Sequence, residues 1–155
     1  MLSDALLEKV ALFYYFALLD EAKAQAATSN TIKSLLKAGV GESTEPSEAD
    51  IIFVRETSEF FNKSRSEHKT TSFSFSAGHI VLPEKSNWGP WFEFRKMADE
   101  RDYLAVLYEK VLGVKEDLIA KGLKLPIGTV RHRLGRGLKV LGRICQSSGI
   151  EAIDA

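Results

Sequence analysis

Apolar positions along this chain recur mainly at helical spacing. Leu6, Val10, Phe13 and Ala17 follow one helical row, and Leu7, Tyr14 and Leu18 widen it. The run from Val10 to Leu19 is apolar nearly all round, which predicts burial on more than one side. Ser3 suits a cap, Asp4 the first turn and the later alanines the helix body, so one helix is predicted over 3–27. Thr28-Ser29-Asn30 predicts a break, Thr31 to Ala38 a shorter helix, and 39–46 a linker. A third helix is predicted from Ser47, with Ser47 as cap and Asp50 reaching back; it carries Ile51, Phe53, Val54, Phe60 and Phe61 and fades at Asn62.

Beyond Asn62 the pattern changes. Residues 62–70 are polar and predict a loop. Thr71 to Ser76 alternates, His79 to Leu82 is again extended, and Ala77-Gly78 between them allows a small hairpin. Asn87 to Trp91 is a turn with two large aromatics, Trp88 and Trp91, read as anchors that pin the linker to the next domain. A helix is predicted from Trp91 to Leu112 on the stripe Phe94, Met97, Arg101, Leu104, Val106, Leu107 and Val111. The expected fold is mainly α: a helical module over 1–68, a linker over 69–90, a helix-turn-helix bundle over 91–146 and a tail over 147–155.

Composition changes this picture in one respect. The chain has 155 residues, 45% hydrophobic and 27% charged, the profile of an ordinary globular protein with enough length to bury a core. Its net charge of zero conceals an asymmetry. Seven basic residues and no acid lie between Leu118 and Cys145, whereas residues 1–117 hold 14 Lys and Arg against 19 of the 21 acids. A basic C-terminal element on an acidic body predicts a polyanionic partner for that element, against the plainer reading of a solvated face. The single cysteine, Cys145, excludes an internal disulfide and an all-cysteine zinc site, and reads as a buried or half-buried thiol. No nucleophile–base pair, phosphate-cradling glycine loop or metal cluster is evident, so neither an enzyme nor a cofactor is expected. The ten apolar residues Val10–Leu19 are too few to span a bilayer, and the expected location is cytoplasmic, away from membranes.

The densest information lies in residues 113–134, GVKEDLIAKGLKLPIGTVRHRL. Val114 to Leu123 predicts a helix with Leu118, Ile119 and Leu123 buried. Lys124-Leu125-Pro126 makes a turn in which Leu125 fills the gap and Pro126 suits a first helical position. The next helix places Val130, Leu134, Leu138 and Leu141 on its core face, with Arg131, His132, Arg136, Lys139 and Arg143 projecting away. In a helix-turn-helix, side chains near the start of the second helix reach base edges and flanking cations meet phosphates.

Glu93 to Ile144 resembles region 4 of the sigma-70 superfamily, especially its extracytoplasmic-function group. Gly113, Glu116, Asp117, Ile119, Ala120, Leu123, Leu125, Pro126, Gly128, Thr129, Val130, Arg131, Arg133 and Leu134 carry the resemblance in register. It implies a domain that binds a promoter −35 element and touches RNA polymerase, with an anti-sigma-type regulator as a further partner. Arg131, His132 and Arg136 fall where such domains contact DNA; Lys124, Thr129, Arg133 and Lys139 are candidates for phosphates. For Arg133 an internal pair with Glu116 or Asp117 is the competing expectation. Gly135, Gly137 and Gly142 each cost about 1 kcal/mol relative to Ala, which predicts a helix that orders fully only on DNA. Residues 1–68 lack the acidic motif of a region 2, so they are either a strongly diverged region 2 or an unrelated helical module. Two functions follow: a sequence-specific transcription regulator of sigma-factor type, or a sigma-like interaction module that binds polymerase or another regulator without reading promoters.

Overall fold

The computed structural model describes residues 1–67 and 89–147. The proposed hairpin over 71–82, Trp88 and the tail over 148–155 lie outside the described residues. Within them the fold is mainly α: α1 (Asp4–Leu18), α2 (Glu21–Lys37), α3 (Pro46–Glu67), α4 (Gly89–Met97), α5 (Glu100–Val106), a π-helical turn (Leu107–Val111), α6 (Glu116–Leu123) and α7 (Ile127–Ser147).

Several boundaries differ from the sequence pattern. Ser3 caps α1 as expected, its Oγ accepting from the Leu6 N–H, but the helix ends at Leu18. Leu19 adopts the left-handed region at φ 51°, and Asp20 caps α2 by accepting from the Lys23 N–H. A competent cap so soon after α1 lets the chain turn back at once. Thr28-Ser29-Asn30 does not break α2. The Thr28 hydroxyl bonds back to the Ala24 carbonyl within the helix, leaving Ser29 and Asn30 exposed. Helix α3 begins at Pro46 and runs through Asn62 to Glu67. Asp50 does not serve its cap; it pairs with Lys9 of α1 at 2.8 Å. The single helix expected over 91–112 is instead three pieces, because Asp99 caps a new helix and the ladder then widens into the π turn. Met97, expected on the core stripe, is 64% exposed at the end of α4.

One hydrophobic cluster draws on both halves of the chain. Phe13, Phe53 and Tyr108 meet at its centre: Phe13 stacks on Tyr108 with centroids 5.1 Å apart, and Phe53 stands edge-on to both. The Tyr108 hydroxyl pairs with Thr57 Oγ1 at 2.8 Å, and the Tyr103 hydroxyl donates to the Phe16 carbonyl at 2.7 Å. Trp91 packs between Phe16, Phe94 and Tyr103. All-round burial of the first helix holds, since Phe13 to Ala17 are consecutively buried.

Two close helix approaches depend on glycines, one between the halves (α6 on α3) and one within the C-terminal half (α7 on α5). A Cβ at Gly122 of α6 would lie 2.6 Å from Val54 Cβ of α3. One at Gly137 of α7 would lie 2.6 Å from Val106 Cγ2 and 2.9 Å from the Asp102 carbonyl of α5. Helix α7 is continuous across all four of its glycines, Gly128, Gly135, Gly137 and Gly142. Gly137 is a packing site, while Gly135 and Gly142 face open space. Gly122→Ala or Gly137→Ala should therefore lower stability by about 1–3 kcal/mol, whereas Gly142→Ala should raise it by up to about 1 kcal/mol. Urea unfolding of the three variants checks both signs.

Burial also raises the Tyr14, Tyr103 and Tyr108 phenols above their ordinary range, desolvation being the largest cause in each. Their charged form is disfavoured in the fold. The stability they carry is complete below the unfolded phenol pKa of about 10 and is lost as pH rises beyond it. Unfolding free energy should fall above about pH 10 by up to about 1.4 kcal/mol per pH unit per phenol. In a Tyr15→Phe variant, which keeps only these three phenols, phenolate absorbance should rise only as helix content is lost; phenolate forming while its helices are intact would contradict this.

Candidate nucleic-acid interface

The interface is built on α6, its turn and α7. Gly113, at φ 69°, reverses the chain out of the π turn, and Glu116 and Asp117 occupy the first turn of α6, where the helix dipole favours carboxylates. Lys124 ends α6 in the left-handed region at φ 58°. The Leu125 N–H then reaches back to the Ala120 carbonyl at 2.9 Å, a reversal that satisfies the helix end. Pro126 stands just before α7, its carbonyl accepting from Thr129 and Val130, so it acts in the cap position and not as the first helical residue. Leu118, Ile119, Val130 and Leu134 are buried as expected. Leu123 and Leu141 are half-buried, and Leu138, predicted on the core face, is 37% exposed.

The seven candidate residues divide into two groups. Arg131, His132, Arg136 and Lys139 are exposed on the outer face of α7. Thr129 is half-buried at its start. Lys124 and Arg133 line a cleft between the turn and α3, together with Arg101 of α5 and Arg55 and Glu59 of α3. Arg133 therefore faces the protein's own body more than the outer face.

Two carboxylates oppose the cations of α7. Arg131 Nε donates to Glu116 Oε2 at 2.7 Å. The internal pair expected from the sequence joins Arg133 to Glu116 or Asp117, but the rotation of α7 turns Arg131 toward the start of α6 and its Glu116. Asp102 of α5, 4% exposed, is the less obvious group. Its Oδ2 lies 3.2 Å from Arg136 Nε. Desolvation raises the Asp102 carboxyl above its usual range; Arg136 pulls it back, Asp99 pushes it up, and Arg133 and His132 lower it further. Arg136 thus neutralises a buried charge, and its role as a free DNA contact is reduced accordingly. Neither Asp102 nor the Arg131 partner carried a signal in the sequence beyond helical acids near a basic run.

The fold is similar to that of the sigma factor RpoE from Bartonella quintana, solved in complex with the anti-sigma factor NepR. The TM-score is 0.67 over 91% of this chain and 92% of that one, at 15% identity, so the likeness is one of fold. At that coverage it takes in the N-terminal helices as well as α6 and α7, and it shows a sigma-factor-like helical fold. No family model and no curated protein matches the chain. Among the described residues, no helix is long and apolar enough to cross a membrane, and no group of three or more His, Cys, Asp or Glu is placed to hold a metal.

Arg136→Ala removes the nearest cation from a buried carboxylate and should cost about 1–2 kcal/mol at neutral pH. The loss should fade as pH falls and Asp102 takes up a proton. Arg131→Ala, at an exposed pair, should stay within about 0.5 kcal/mol. Thermal unfolding at two pH values separates them.

Proposed function

We propose that this chain is a sequence-specific DNA-binding transcription regulator of sigma-factor type, reading a promoter −35-like element through α7. The observation that carries this is the exposed basic face of α7, Arg131, His132, Arg136 and Lys139, presented next to a turn on a stretch without acids from 118 to 145. Such a face suits the major groove, with Thr129 at its start as a phosphate contact; Lys124 and Arg133 line the cleft beside α3 and would meet only a phosphate backbone that runs along that cleft. Bacterial core RNA polymerase is the proposed machine it serves, in the cytoplasm. An anti-sigma-type regulator is the proposed controlling partner, supported by the complex in which the similar structure was solved.

A second reading has one observation in its favour. Glu116 and Asp102 already pair with Arg131 and Arg136, which suits a sigma-like interaction module that has given up promoter recognition. DNA binding separates the two. Affinity for promoter fragments should fall steeply with salt, because each phosphate contact releases counterions. Arg131→Ala should cost about 1–3 kcal/mol and relax sequence preference. No binding at low salt, or binding unchanged in the Arg131→Ala, Arg136→Ala double variant, favours the interaction module.

A further inference from the structure

Arginine has five N–H donors in a rigid plane, and which of them is occupied decides what remains for a ligand. In the Arg131–Glu116 contact the donor is Nε, to Glu116 Oε2 at 2.7 Å. Among the described residues, no hydrogen bond is made by the Nη1 and Nη2 groups of Arg131, whose side chain is 64% exposed. We propose that Glu116 is a positioning residue for base readout: it holds Arg131 by Nε and leaves the Nη1–Nη2 edge facing outward for a two-point contact with guanine O6 and N7. The inference rests on the DNA-reading function above and specifies one base of the site.

Three features support it. Arg131 lies in the second turn of α7, in the part of a recognition helix that meets base edges. Glu116 is fixed in the first turn of α6, at the helix end whose dipole attracts a carboxylate. The Arg136–Asp102 contact forms the contrast. Asp102 is buried and is also influenced by Arg133 and His132, so that pair anchors α7 to α5. Glu116 is 36% exposed and carries no such burden, since Arg131 is the one cation paired with it among the described residues. Without Glu116, an exposed arginine on a free helix face spreads over many rotamers and meets phosphate or base indifferently.

The test uses the full chain and a random-sequence duplex pool. The selected site should contain a guanine whose replacement by adenine, with the pair, weakens binding by about tenfold or more. Arg131→Lys should abolish that discrimination, since an ammonium has no planar fork. Glu116→Ala should reduce it to about threefold or less while the salt dependence stays unchanged, because the Arg131 charge remains. Glu116→Gln, whose amide oxygen still accepts from Nε, should keep most of it. If Glu116→Ala discriminates as well as the parent, or Glu116→Gln falls as far as Glu116→Ala, the positioning role is overturned while the DNA-reading function stands. A chain that binds no duplex removes both.

Discussion

Burial of the Tyr108 hydroxyl is the constraint around which the two halves of the chain are arranged. A phenol taken wholly out of water must find a hydrogen-bond partner, and Thr57 of α3 supplies it at 2.8 Å. The ring is meanwhile stacked on Phe13 of α1. Three elements far apart in sequence are thereby fixed at one point. Val106, Leu107 and Tyr108 are all fully buried where α5 passes into the π turn. With α5 and the turn fixed against α1 and α3, the position of α6 is set, and the missing side chain at Gly122 lets it settle directly on Val54. The pair α6 and α7 is presented from a body that includes the N-terminal helices.

Charge is organised around that body in two tiers. Asp102 is buried and leans on Arg136, so this pair belongs to the attachment of α7. Glu116 and Arg131 meet at the surface, where a pair contributes little to stability and is free to serve recognition. The face of α7 is consequently less uniform than its count of cations implies. His132 and Lys139 stand open, Arg131 is steered, and Arg136 is partly committed. Arg133 and Lys124 turn toward the cleft beside α3.

The succession of α6, a turn and α7 was legible because its signals are local: Gly113 for a reversal, acids at a helix start, Leu-Pro at a turn and Val130 and Leu134 at helical spacing. The mainly α character was legible for the same reason. What escaped depends on distant partners. The break at Leu19 hides inside an apolar run, and only the direction in which α2 must travel makes Asp20 a cap. Thr28 to Asn30 has the composition of a break, yet Thr31 beside it is buried against the Tyr14 hydroxyl and holds α2 in place. Gly137 looked like a weakness in α7 and is a fitted contact with α5. The pairing of Glu116 with Arg131 and not Arg133 turns on a fraction of a helical rotation, which spacing alone does not resolve.

The function proposed for this chain is that α6 and α7, held on one shared core, read DNA with the outer face of α7. Amide hydrogen exchange, with and without a duplex selected from random sequence, tests it most directly. Core amides of α1, α3 and α5 should open together at one free energy, and the duplex should slow exchange over residues 124–136 while leaving α1 and α2 unaffected. Exchange unchanged over 124–136, or slowed on α1 and α3 in its place, would contradict it.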